Sequence, residues 1–293
     1  MASARDLTLQ LNGKWYRHYG VAPCPVCQPA RQKHQTALTL RDSEIGLLAH
    51  CKKSNCDFRD IVSALGLRDA PFRPADPFEM AQRKAHEHEQ HRKRSAQAQA
   101  IWDEATPIQG TVSEAYLRSR GITATLPETL RHHSSCWHSA TAKTYPALIA
   151  RVDGSDGFAI HRTYLKADGS GKADITPSKA MLGTTAGGAV RLSPLKQGII
   201  LAEGIETALS LASKLLDLPA TFMAALSTSG MKGFCLPPDP SDLFIATDGD
   251  DAGKAAGYDL AAKAYMNGWT VRMMEAPPGQ DWNDVLRSMG CKA

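Results

Sequence analysis

The stretch 242-DLFIATDGDDAGKAAG-257 decides how the chain is read. Its apolar run, Leu243 to Ala246, has the composition of a buried strand and stops abruptly at Asp248, Asp250 and Asp251, with glycines between and behind them. Carboxylates that close repel one another unless water or a cation screens them. Asp and Gly are also ordinary turn formers, so an acidic turn is the competing explanation. The surrounding sequence separates the two.

From Gly198 onward, strand-like runs at residues 198–203, 221–226, 242–247 and 269–276 alternate with helical patterns near 206–216 and 252–267. Continuous apolar strands alternating with amphipathic helices predict a parallel sheet covered on both faces. Right-handed crossovers then bring every strand's carboxyl end to one edge, where α/β proteins bind ligands. Glu203 ends the first strand, Asp248 and Asp250 end the third, and Asp281 in 278-PGQDWNDVL-286 follows the fourth. An acidic turn explains Asp248 to Asp251 but not Glu203 or Asp281. The pattern therefore predicts an oxygen-rich, cysteine-free site suited to Mg²⁺ or Mn²⁺.

The front of the chain carries a different metal signature. Cys24-x2-Cys27 and Cys51-x4-Cys56 present two cysteine knuckles, a spacing that suits one tetrahedral Zn²⁺. Residues 36–41 and 46–50 between them read as strands of a small antiparallel ribbon, closed by a helix over 58–67. So small a body buries little, and the metal would supply its folding free energy. Arg31, Lys33, Lys52 and Lys53 flank the knuckles as candidate phosphate contacts, and Cys136, Cys235 and Cys291 stand alone.

Charge is unevenly spread. Residues 1–100 hold 16 Lys and Arg against 10 Asp and Glu, while the remainder holds 18 against 20, which suits a front half that meets a polyanion. The proline-rich 69-DAPFRPADPF-78 predicts a boundary, and residues 79–104 a long, polar, solvated helix. Residues 101–197 read as mixed α/β, with a helix near 113–121 and strands at 147–152 and 158–165. The segment 169-GSGK-172 lacks the first glycine and the terminal Ser/Thr of a P-loop, and no knuckle or helical spacing organises 131-RHHSSCWH-138 as a metal site. Arg162, Lys166, Lys172 and Lys179 form a string of cations next to the acidic region, placed to counter phosphate charge. No apolar run approaches a bilayer span, and 1-MASARDLTLQ-10 lacks a signal-peptide core, so the expected setting is the cytoplasm without a membrane partner.

Glu203-Gly204 at one strand end and Asp248-x-Asp250-x-x-Gly253 at a later one resemble the Toprim domain of primases, topoisomerases, some nucleases and a recombination mediator. With a four-cysteine ribbon in front and the basic segment 158–183 between, nearly the whole chain resembles a bacterial DnaG-type primase in its compact phage and plasmid form. The resemblance implies a zinc-ribbon DNA-binding domain over 1–68, a linker and helix over 69–105, a basic α/β subdomain over 106–197 and a Toprim catalytic domain over 198–293. It implies RNA primer synthesis on single-stranded DNA from ribonucleoside triphosphates. Asp248, Asp250 and Asp281 would hold Mg²⁺, Glu203 would be general base or further ligand, and Arg162, Lys172 and Lys179 would grip phosphates. Unwinding would fall to a separate helicase. Two positions depart from the family pattern: Thr207 stands where an acidic residue is frequent, and Asn283 where a second Asp is common. A Toprim nuclease or topoisomerase, and a non-catalytic recombination or loading factor, are the alternatives.

Overall fold

The computed structural model describes residues 3–32, 34–43, 46–67 and 77–290. The linker at 69–76, Lys33 and Cys291 lie outside them. Two compact units result, Met1–Glu89 and Gln90–Ala293. The division falls inside the long helix rather than at the proline-rich stretch where the sequence places a boundary.

In the first unit, α1 (Ala4–Gln10) starts on a capping box between Ser3 and Asp6. It is followed by β1 (Lys14–Trp15), β2 (Gly20–Ala22), β3 (Leu38–Ser43), β4 (Gly46–Cys51) and α2 (Phe58–Ala64). The strands form an antiparallel sheet in the order β1-β2-β3-β4. The predicted pair of ribbon strands is there; α1, β1 and β2 carry too little periodicity to be read from sequence. Leu7, Leu11, Leu38, Leu40 and Ile61 make a small core with Cys24 and Cys51.

Helix α3 (Pro77–Glu104) follows, polar along most of its length, with Ala98 and Trp102 buried near its end. The second unit continues through β5 (Thr106–Pro107), α4 (Val112–Ser119), β6 (Leu130–His138), β7 (Lys143–Val152), β8 (Ala159–Tyr164) and β9 (Lys179–Leu182). These five strands form an antiparallel sheet in sequence order. The histidine-rich 131–138 run is thus a strand, with His132 bonded to Ser113 and His138 to Thr141.

The last third comprises β10 (Val190–Arg191), β11 (Gly198–Ala202), α5 (Ile205–Ser210), β12 (Ala220–Ala224), α6 (Thr228–Gly233), β13 (Asp242–Thr247), α7 (Asp251–Met266), β14 (Thr270–Glu275) and α8 (Trp282–Gly290). The sheet order is β10-β12-β11-β13-β14, parallel except for β10, an antiparallel edge the sequence did not announce. Beyond α5 the predicted helix does not run on regularly: the chain widens over Leu211–Leu215 and breaks at Lys214, whose φ is 109°. The two sheets are not separate bodies. Leu148, Ala150, Val152 and Ala159 from the antiparallel sheet share one core with Ile200, Ala202, Phe222 and Ala246 from the parallel sheet.

Helix α7 lies tight on β13 because Gly257 has no side chain: a Cβ there would sit 2.4 Å from Thr247 Cγ2 and 3.0 Å from Met273 Cε. Gly257→Val should therefore cost about 2 kcal/mol or more of stability in denaturant unfolding. An unchanged midpoint would show that the helix can lift off without penalty.

Candidate active site

Strands β11 and β13 pair in parallel, with Ala202 opposite Ala246. Glu203 and Asp248 therefore leave the sheet from adjacent strands at the same edge. Asp250 caps α7, its Oδ1 accepting from Gly253 N at 2.6 Å. Asp281 caps α8 in the same way, its Oδ1 accepting from Asp284 N at 2.8 Å. The loops that carry them are stitched together: Gly249 N donates to Gln280 O at 2.8 Å, and Gly279 N to Gly249 O at 3.1 Å. A Cβ at Gly249 would stand 2.0 Å from Pro277 O, so the residue between Asp248 and Asp250 has to be glycine.

Glu203 and Asp248 feel their acidic neighbours. Burial, then Asp281 and Asp250, push the Asp248 carboxyl up to about 6, against a hydrogen bond from Thr207. Burial, then Asp248 and Asp250, also raise Glu203. Lys179 opposes both shifts, so its ammonium faces the same edge. A strained cluster of this kind is what a divalent cation relieves, and its donors are oxygens, as Mg²⁺ or Mn²⁺ requires. Among the described residues, Cys24, Cys27, Cys51 and Cys56 are the group whose ligand atoms all lie within 4.8 Å of one another; the carboxylates stand wider apart.

Thr207 occupies the position where the family pattern has a further acid. Its hydroxyl donates to Asp248 Oδ1 at 3.4 Å, so it supports a carboxylate instead of adding one. Asn283, the other departure, is buried and bolts α8 in place by donating to Arg120 O and Ser210 Oγ, each at 2.9 Å.

The predicted cations divide. Lys172 and Lys179 both reach Glu206, at 3.4 and 3.1 Å, and Tyr116 Oη donates to the same carboxylate at 2.8 Å. Glu206 is buried, yet the two ammoniums and that hydroxyl hold its carboxyl well below the usual range against the cost of burial. Burial in turn depresses the Lys172 ammonium, which Glu206 partly restores. Arg162 goes elsewhere. It pairs with Ile149 and Ala180, whereas Lys179 pairs with Thr163, so alternation puts Arg162 on the opposite face of the sheet. There its guanidinium lies 5.8 Å from the Tyr164 ring and points at the carbonyls of Trp137 and Met181. Lys166 pairs with Asp174 at 3.1 Å. Sequence patterns mark Glu206 as a neighbour of Thr207 but not as the anchor of two lysines; Tyr116, 90 positions away, gives no signal at all.

At the other end of the chain, the cysteine knuckles meet. Cys27 Sγ lies 3.5 Å from Cys51 Sγ, close to the sulfur separation of a tetrahedral zinc–thiolate centre. Burial alone would raise Cys51, but the N–H groups of Ser54, Cys56 and Lys53 outweigh it and bring the thiol down to about 6. The set fits Zn²⁺.

Residues 198–292 match the family model described as Toprim domain. The carboxyl-terminal body is Toprim-like. Residues 92–192, ahead of it, match a family described as Domain of unknown function (DUF7146). Three solved structures are similar at low overlap. The zinc-binding and RNA polymerase domains of the Aquifex aeolicus primase share 12% identity over 100% of this chain and 84% of that one, TM-score 0.39. The primase fragment of the bacteriophage T7 primase-helicase protein shares 12% over 93% and 96%, TM-score 0.33. A DNA primase domain from Pseudomonas aeruginosa shares 22% over 53% of this chain, TM-score 0.33, and the match spans 52% of that domain. No curated protein matches the sequence.

The charge balance at the Toprim edge makes stability depend on pH. A carboxyl raised from 3.8 to about 6 on folding costs stability above pH 6, and the cost fades as pH falls through 6 towards 4. Asp248→Asn should therefore raise the melting temperature of the metal-free protein at pH 8, with the gain shrinking on acidification. Divalent-cation affinity, followed by calorimetry, should fall as pH drops through 6. Glu206 works the other way: its depressed carboxyl contributes stability that is present above pH 4.5 and lost on acidification below it. Glu206→Ala strands two ammoniums at a buried junction and should cost about 3 kcal/mol in denaturant unfolding. A cost under about 1 kcal/mol would mean that water replaces the carboxylate freely.

Proposed function

We propose that the chain is a primase: a Toprim nucleotidyltransferase that makes short RNA primers on single-stranded DNA. The observation that carries the reading is the gathering of Glu203, Asp248, Asp250 and Asp281 at one sheet edge, where Glu203 and Asp248 are part-buried and raised by their acidic neighbours, with Lys172 and Lys179 held beside them by Glu206. Such a group suits chemistry in which metal and cations together balance phosphate charge. The four-cysteine ribbon and the order of modules favour a primase over other Toprim enzymes.

In this reading Asp248, Asp250 and Asp281 hold Mg²⁺, which when bound supplies charge stabilisation for displacement at an α-phosphate. Glu203, with its carboxyl raised by burial, is placed to accept the proton of the attacking 3′-hydroxyl. Lys179 faces both the carboxylates and Glu206, and grips the incoming triphosphate together with Lys172. Arg162, on the far face of its sheet, is left out of that grip. Thr207 keeps Asp248 oriented. The ribbon, closed on Zn²⁺, contacts template, and strand separation is the work of a partner helicase. Among the described residues no helix is long and apolar enough to cross a membrane.

The test is incubation with single-stranded DNA, labelled ribonucleoside triphosphates and Mg²⁺, with short oligomers as the expected product. Asp248→Ala should abolish product while leaving DNA binding largely intact; full activity in that variant refutes the assignment. Degradation of the template without nucleotide incorporation would favour a nuclease instead. Cys24→Ser combined with Cys27→Ser should release zinc and impair initiation more than extension of a preformed primer. Equal loss in both steps would make the ribbon a structural element.

A further inference from the structure

Template contact by the ribbon needs side chains that can meet bases and phosphates, and the ribbon's first half supplies both. The sequence between Asp6 and Asp42 contains no Asp or Glu, and Lys14, Arg17, Arg31, Lys33 and Arg41 all fall within it. That stretch builds β1, β2 and most of β3, so one half of the small sheet is acid-free. At its outer edge, 14-KWYRHYG-20 turns from β1 into β2, with Tyr16 N donating to Tyr19 O at 2.8 Å across the turn.

The two tyrosines stack, ring centroids 5.3 Å apart and planes 20° from parallel. A stacked pair is ordinarily worth burying, yet Tyr16 and Tyr19 are 43% and 41% exposed. Tyr16 stacks on Tyr19 and also carries Lys14, whose Nζ lies 5.4 Å from its ring centroid. Tyr19 is the ring of the pair against which no cation is described. His18, also in the turn, is approached by Glu87 at 3.7 Å. Cross-strand pinning of a short hairpin explains the stacking but neither the exposure nor the flanking cations.

We infer that the β1–β2 turn is a base-stacking site for single-stranded nucleic acid: Tyr19 takes an unpaired base, Tyr16 backs it, and Lys14 and Arg17 meet the adjoining phosphates. An aromatic platform beside cations is how proteins bind single strands without reading their sequence. The inference rests on the ribbon being a template contact, and it adds where on the ribbon that contact is made.

The experiment uses the zinc-loaded full chain and fluorescence anisotropy with a labelled oligothymidylate over a range of salt. Tyr19→Ala should weaken binding about tenfold, the scale of one base stack, with the salt slope unchanged. Tyr19→Phe, which keeps the ring, should bind as the parent does. Lys14→Gln and Arg17→Gln should each lower the slope of log affinity against log salt by about 0.7, as expected for one phosphate contact on a single strand. Zinc content is measured on every variant; should Tyr19→Ala lose metal, Tyr19→Leu keeps apolar bulk without a stacking face and should show the same tenfold loss. If the parent binds the oligonucleotide and a zinc-loaded Tyr19→Ala or Tyr19→Leu binds equally well, the stacking site is overturned while template contact by the ribbon stands. If the parent does not bind at all, both fall together.

Discussion

Parallel pairing of β11 with β13 is the constraint on which the rest of this molecule depends. Once Ala202 lies opposite Ala246, Glu203 and Asp248 emerge together from a fully buried β11 and from the buried carboxyl end of β13. A shift of one residue would turn a carboxylate into the core, which the apolar flanks forbid. The sheet thus concentrates negative charge at its own edge, against electrostatics, because the hydrophobic register is worth more than the repulsion costs. Stability is given up locally for a site that a cation can complete.

The compensations are visible around it. Asp250 and Asp281 each commit one oxygen to a helix cap, which fixes their positions by backbone geometry. Gly249 lets the β13 and β14 loops touch, so the two caps are tied to one another. Glu206 sits in the first turn of α5 and collects Lys172 and Lys179 from the neighbouring sheet region, which sets positive charge beside the acidic edge without adding to it. The two sheets that meet at this junction share one core. The metal-suited cysteines of the other unit obey different physics: soft sulfur ligands close a body whose own core is small.

Much of this is legible in the chain because it is local. The apolar runs of β11, β12 and β13 announce buried strands, β14 reads as a strand although it is a part-exposed sheet edge, the Asp-Gly-Asp turn announces an acidic carboxyl end for β13, and the two cysteine knuckles announce a ribbon by spacing alone. Short elements are not legible. Strands β1, β2 and β10 are two or three residues long, and no periodicity can be read over so few positions.

The sequence by itself determined the alternation of strands and helices, the acidic strand ends and the paired knuckles, since each is written in neighbouring residues. Only tertiary structure decided which charges meet. It turned Lys172 and Lys179 onto Glu206, brought Tyr116 to the same carboxylate, sent Arg162 to the opposite face, and made Thr207 a support for Asp248. The physical reason is that a side chain's partner is set by strand register and by which sheet packs on which. Both depend on the whole core and not on the residues beside it.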